Sequence, residues 1–153
     1  MAPRRKDSKP KATRLQNAIE FVRLGFGDDF GLGFRSLYFR TEALTTDEAQ
    51  AIMRLINYDD FDGVKVAEAI DQFRGKIVAY EFGREGSPVL YVKLPYWTHQ
   101  CEGSPKGKAG TRIEDDENCL LVARLEDTLV SKLAASEFGP VIADKRMIRV
   151  WWD

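Results

Sequence analysis

The residues with the clearest capacity for chemistry lie between positions 95 and 119. His99 is the only histidine, and Cys101 and Cys119 are the only cysteines. Imidazole nitrogen and thiolate sulfur are ligands that zinc prefers, and a carboxylate from residues 115–117 would complete a tetrahedral set. The spacing of His99 and Cys101 is not that of a zinc knuckle, however, so we expect no metal and no other cofactor.

The same histidine and Cys101 could instead act as a base and a nucleophile. Residues two apart on an extended chain point to opposite faces, which does not favour that pairing. Carboxylates are numerous, but the sequence fixes no two of them opposite each other, as general acid–base catalysis needs. A metal-assisted enzyme that uses the 95–119 loop is therefore the alternative, and a non-catalytic protein is the main expectation.

Two further segments look like ligand-binding loops but do not match their patterns. The glycine-rich residues 25–34 lack the third glycine of a dinucleotide-binding loop, because position 30 is Phe30. Residues 58–63 contain aspartates like those of a calcium loop, but Tyr58 and Ala69 occupy two of the main ligand positions. The sequence thus predicts neither a dinucleotide-binding loop nor a calcium site.

Positive charge is concentrated in two places, although the formal net charge is only -1. Residues 1–10 are basic, contain two prolines and show no apolar periodicity, which predicts a disordered tail. Cations there and in the long loop could attract phosphates regardless of their sequence, although a tail that only aids solubility is the alternative. The cations that would make such contacts are Arg4, Arg5, Lys6, Lys106 and Lys108.

The regular elements are arranged around a predicted hairpin at residues 76–94, whose two arms alternate apolar and polar residues about a polar turn. Helical periodicity or capping signals mark helices at 11–24, after Thr45, at 64–74 and at 119–136. Further strands are predicted at 34–40 and 146–152. This order predicts an α+β fold, with a ferredoxin-like split βαβ sheet of four antiparallel strands, helices on one face and an extra N-terminal helix. Residues 11–153 would form a single domain.

Such a sheet has one helix-covered face and one open face. The helix-covered face would hold Leu37, Phe39, Val78, Tyr80, Phe82, Leu90, Val92, Leu94, Ile148, Val150 and Trp152. The open face would hold Tyr38, Arg40, Val89, Tyr91, Lys93, Met147, Arg149 and Trp151. Rings interleaved with cations are typical of a platform for single-stranded nucleic acid. Alternatively, the first helix covers that face with Leu15, Ile19 and Val22, and the rings belong to a core.

The whole pattern predicts a small, non-catalytic binding or regulatory domain that contacts single-stranded nucleic acid or another anionic partner. A protein-interaction module, or a homodimer with no role in nucleic-acid binding, is the alternative. No apolar run reaches the ~18 residues of a membrane helix, and the start of the chain lacks a secretory signal. With two cysteines expected to be reduced, we predict a cytoplasmic protein without a membrane partner.

Overall fold

A computed structural model of the chain describes residues 12–27, 38–58, 60–96 and 113–153. Its described part is an α+β fold built on a five-stranded sheet whose paired strands all run antiparallel. The strands of this sheet are β1 (Tyr38–Arg40), β4 (Ala79–Glu85), β5 (Ser87–Lys93), β6 (Glu137–Pro140) and β7 (Met147–Trp151). A separate two-stranded ladder joins β2 (Asn57–Tyr58) to β3 (Phe61–Asp62).

Four helical segments accompany these strands in the described part of the chain. They are α1 (Ala12–Phe26), α2 (Thr46–Met53), α3 (Gly63–Ile70), which continues as a 3-10 turn (Asp71–Phe73), and α4 (Ile113–Glu126), which continues as a π-helical turn (Asp127–Lys132). The predicted capping box of α2 is confirmed: the amide of Glu48 donates to Thr45 Oγ1 at 3.1 Å, and the Thr45 amide donates to Glu48 Oε1 at 2.9 Å. Asp62 caps α3 through a single hydrogen bond, which its side chain accepts from the amide of Lys65.

The predicted central hairpin is confirmed as β4 and β5, which pair along their full lengths. Gly86, with a φ of +75°, turns the chain between them, and that left-handed conformation favours glycine. Gly83 is needed for a different reason, since a Cβ placed there would lie 1.9 Å from the carbonyl oxygen of Phe39. The small residue therefore lets β1 lie directly beside β4.

The helix-covered face of the sheet contains the main core. Phe61, on β3 just before α3, packs between Phe82 and Trp152, with ring centroids 5.4 Å and 4.9 Å away. Of the residues predicted for this face, Tyr80, Phe82, Leu90, Val92, Leu94, Ile148, Val150 and Trp152 are buried in this core. Val78 is not among them, because it precedes β4 and is 58% exposed, and Leu37 lies outside the described residues.

The order of the strands differs from the predicted ferredoxin-like sheet. The strands lie in the order β1-β4-β5-β7-β6, whereas a split βαβ sheet places its first long strand in the interior. Here β1 lies at an edge of the sheet and pairs antiparallel with β4. The pairing extends one residue beyond β1, where the amide of Thr41 donates to Phe82 O at 2.9 Å. These two strands therefore do not form the βαβ unit of the predicted sheet, because the crossover of that unit joins parallel strands.

A fifth strand, β6, forms directly after the stretch predicted as the end of the last helix. The helix ends in its π-helical turn, after which Ala134 adopts a φ of +65° and reverses the chain. Residues Glu137–Pro140 then pair with β7 and place the half-buried Phe138 against the main core. The helix thus ends four residues before the predicted position 136, and β6 forms in residues that were assigned to no element.

The first helix packs on the helix-covered face and not on the open face. Val22 is buried in the main core, and Phe26 stacks on Phe82 with ring centroids 5.9 Å apart. The end of α1 is held by Arg84, a residue that is 2% exposed and whose guanidinium donates to the carbonyl oxygen of Gly25 at 2.9 Å. The alternative in which α1 covers the open face is therefore wrong.

Candidate functional site

The open face carries the aromatic and cationic residues that the sequence places there, but they contact each other. Tyr91 is only 5% exposed, and the guanidinium of Arg40 lies 4.2 Å from the centre of its ring. The Tyr91 hydroxyl donates to Glu85, and the indole N–H of Trp151 donates to the Glu85 carbonyl oxygen at 2.9 Å. Tyr38, at 72% exposure, is the one of these rings that is largely accessible.

Each cation predicted for the open face is paired with a carboxylate. Arg40 lies 2.9 Å from Glu81, and Lys93 lies 2.7 Å from Asp144. Arg149 contacts both Glu85, at 2.7 Å, and Glu137, at 2.6 Å. Because these three cations face four carboxylates, their charge is already neutralised. This arrangement does not favour the open face as a surface for phosphates, and binding of nucleic acid there stays a prediction.

The same contacts shift the ionisation of the groups on this face. Burial alone would raise the pKa of Glu85, but hydrogen bonds from Arg149 and Tyr91 hold it below its ordinary value. Burial raises the pKa of the Tyr91 phenol, and its bond to Glu85 raises it further. The hydrogen bond from Lys93 lowers the pKa of Asp144. These contacts therefore favour the ionised forms of Glu85 and Asp144, and Tyr91 and Trp151 pack with Val89 and Met147 on the same face.

Several other predicted site residues lie outside the described residues. They are Arg4, Arg5 and Lys6 of the tail, and His99, Cys101, Lys106 and Lys108 of the long loop. Cys119, on α4, is disulfide-bonded, so the expectation that it is reduced is wrong. Within residues 12–27, 38–58, 60–96 and 113–153, no group of three or more His, Cys, Asp and Glu side chains is placed to hold a metal ion.

A cleft of about 630 Å³ lies near the C-terminal end of β5, and three segments form its walls. The chain after the 3-10 turn contributes one wall, the residues after β5 contribute the second, and α4 contributes the third. Its volume falls in the ~300–1,000 Å³ range of small-molecule sites. The residues that line it are Gly75, Lys76, Pro95, Tyr96, Glu117, Leu120, Leu121 and Arg124.

The backbone around the cleft is fixed on two sides. Gly75 has a φ of +85°, which ends the 3-10 turn and directs Lys76 to the cleft. The amide of Lys76 is held by the carbonyl oxygen of Phe73 at 2.9 Å. On the second side, Leu94 is fully buried and its amide donates to Arg146 O at 2.7 Å, which positions Pro95 and Tyr96.

The third wall of the cleft is one face of α4. Glu117, Leu121 and Arg124 are spaced by four and three residues, so they lie on the same side of the helix. Leu121 is buried and joins the main core, which holds this side of α4 at the mouth of the cleft. Leu120 also lines the cleft and is 62% exposed, so its side chain is accessible to a ligand.

The charges in the cleft differ from those on the open face. Lys76 and Arg124 line the same cleft, and neither forms an ion pair with any residue in the described ranges. Glu117, the one carboxylate among the described lining residues, likewise forms no ion pair there. Two cations that pair with no described carboxylate, a tyrosine and a pair of leucines can bind a ligand that is both anionic and apolar.

The sequence reasoning did not identify this cleft. Its residues come from three segments that are distant along the chain, and none of them forms a motif. One local signal was available: Leu120 lies outside the apolar stripe of Val122, Leu125 and Leu129, on a helix that also carries Arg124. Comparisons with known protein families, with curated proteins and with solved structures found no match for the chain. The site is therefore interpreted from its own chemistry.

No helix among the described residues is long and apolar enough to span a membrane.

Proposed function

We propose that this chain is a non-catalytic binding domain that holds an anionic ligand in the cleft between the 3-10 turn, the end of β5 and α4. One observation carries the proposal: Lys76 and Arg124 line the same cleft and have no carboxylate partner in the described part of the chain. On the open face, by contrast, the cations Arg40, Lys93 and Arg149 are all paired. An anion in the cleft would meet two cations that no described carboxylate neutralises.

The cleft residues also support binding of an anion. Among the described residues, the lining provides two cations, one carboxylate, one phenol and apolar side chains. The proposal keeps the anionic partner expected from the sequence and moves its site from the open face to the cleft.

The proposal is tested by locating where a simple anion binds. Sodium pyrophosphate is titrated into ¹⁵N-labelled protein while sodium chloride keeps the ionic strength constant, and the amide chemical shifts are followed. We expect saturable shifts at Gly75, Lys76, Leu120 and Arg124, and a weaker affinity at higher salt. Shifts that do not saturate, or that centre on the open face around Arg149, would overturn the assignment to the cleft.

A further inference from the structure

We infer that the ligand of the cleft is a nucleoside monophosphate, an inference that rests on the proposed function. The cleft offers three kinds of contact, which are two cations for a phosphate, a tyrosine for a planar ring, and a carboxylate for hydrogen-bond donors. A nucleotide carries a phosphate, a planar aromatic base and N–H donors in one molecule. Inorganic phosphate, a sugar phosphate and a fatty acid each lack at least one of these features.

The spacing of Glu117 and Arg124 along α4 agrees with the length of a nucleoside monophosphate. Glu117 and Arg124 are seven residues apart on one face of α4, which places their Cα atoms about 10 Å apart along the helix axis. A ligand that spans about 10 Å along the helix, as from the phosphate to the far edge of the base, can therefore contact both. Leu120 and Leu121 lie between them along the chain and line the same cleft with apolar surface.

The arrangement of charge favours one orientation of the nucleotide. In this orientation the phosphate would contact Lys76 and Arg124, and the base would stack on Tyr96 with its N–H edge toward Glu117, all four of which line the cleft. A carboxylate accepts hydrogen bonds through both oxygens, and the guanine base presents two adjacent N–H donors that match them. Repulsion between Glu117 and the phosphate is weak, because about 10 Å is close to the Debye length at physiological salt.

The nucleotide could be free or form the 5′-phosphorylated end of a single strand, since both present the same phosphate and base. The test compares GMP, ribose 5-phosphate and a 5′-phosphorylated tetranucleotide that begins with guanosine, each at the same ionic strength. Tighter binding of the tetranucleotide than of GMP would assign the site to a strand end, and the reverse would assign it to the free nucleotide. Both outcomes support a nucleotide in the cleft.

The decisive comparison is between GMP and ribose 5-phosphate, with dissociation constants taken from amide shifts. We expect GMP to bind at least about tenfold more tightly, because stacking of a base on an aromatic side chain contributes a factor of that size. Tyr96→Leu should remove about tenfold of the GMP affinity, whereas Tyr38→Leu, an exposed tyrosine outside the cleft, should leave it unchanged. Glu117→Gln should weaken GMP and leave ribose 5-phosphate unaffected.

Equal affinity for GMP and ribose 5-phosphate would overturn the nucleotide inference, even if both bind in the cleft and the anion-binding proposal stands. Absence of any saturable shift in the cleft with pyrophosphate would instead remove the proposed function itself. If Tyr96→Leu loses the dispersed spectrum of a folded protein, Glu117→Gln still decides the question. If Glu117→Gln weakens binding of GMP but not of ribose 5-phosphate, Glu117 contacts the base. An unchanged affinity for GMP would contradict that contact.

Discussion

The guanidinium of Arg84, on β4, donates a hydrogen bond of 2.9 Å to the carbonyl oxygen of Gly25, near the end of α1. The same group donates to Gly86 O at 2.8 Å and to the hydroxyl of Tyr58 at 2.7 Å. Its charge also lies 5.4 Å from the ring centre of Phe26. One buried cation thus joins the first helix, the small ladder and the turn of the central hairpin.

Arg84→Met should destabilise the fold by about 3 kcal/mol, because it removes charged hydrogen bonds and leaves buried carbonyl oxygens without their donor. The free energy of unfolding is measured by urea denaturation with an unchanged m-value as the check on two-state behaviour. Arg23→Met, on the exposed side of α1, is the matched control and should cost less than about 0.5 kcal/mol. Equal stability of the two variants would contradict the role of Arg84.

Removal of the Tyr80 hydroxyl and removal of the Tyr91 hydroxyl should change the stability of the fold in opposite directions. The Tyr80 hydroxyl is buried and has no hydrogen-bond partner in the described part of the chain, and burial raises the pKa of its phenol. Tyr80→Phe should therefore be neutral or stabilising by up to ~1 kcal/mol. Tyr91→Phe loses its bond to Glu85 and should cost ~1 kcal/mol. Thermal unfolding of both variants checks this, and a larger loss for Tyr80→Phe would contradict it.

Gly83→Ala should separate β1 from β4. The new Cβ would lie 1.9 Å from Phe39 O, a backbone atom that cannot move without breaking the ladder. We expect a loss of about 2 kcal/mol or more in the free energy of unfolding. Gly139→Ala, on β6, has nothing within 4 Å of the added Cβ and should cost less than ~1 kcal/mol. The free energies of unfolding of the two variants are compared. A larger loss for Gly139→Ala than for Gly83→Ala would contradict the close approach of β1 to β4.

Stability at low pH should depend on Glu85. Its pKa is lowered in the folded protein, because the hydrogen bonds from Arg149 and Tyr91 outweigh the effect of burial. The stabilisation is therefore present above the ordinary value of 4.5 and is lost as the pH falls through the folded pKa. Glu85→Gln should be less stable than the wild type at pH 7, and the difference should shrink toward pH 3.

Urea midpoints measured from pH 3 to pH 7 test this dependence. Glu126→Gln alters an exposed carboxylate that makes no contact with the network in the described part of the chain, so it serves as the control. A difference between Glu85→Gln and wild type that stays constant across this range would show that the ionisation of Glu85 is not coupled to folding.

The local elements could be predicted because their signals are local. Alternation of apolar residues defined β4, β5 and β7, and the Thr45–Glu48 spacing marked the start of α2. The strand order could not be predicted, because it depends on the pairing of β1 with β4, more than forty residues later in the chain. β6 was missed since Glu137–Pro140 has no alternation of its own and forms only against β7.

The candidate site was predicted only in part, because its contacts join residues that are far apart in the sequence. The sequence placed Arg40, Tyr91 and Arg149 on one face correctly, but alternation does not show which carboxylates will pair with them. Glu81 and Glu85 lie on the same face of β4 and neutralise these cations. The cleft requires three separate segments to meet, so no single stretch of sequence carries its signature.

The central claim is that Lys76 and Arg124 together bind an anion. The direct test is the dissociation constant of pyrophosphate for the Lys76→Gln/Arg124→Gln double variant, compared with an Arg23→Gln/Lys65→Gln variant that loses the same charge on exposed helix positions. We predict at least a tenfold loss of affinity for the first variant and less than a twofold change for the second. Equal losses in both variants would show that the anion responds to overall charge alone, and would contradict a site in the cleft.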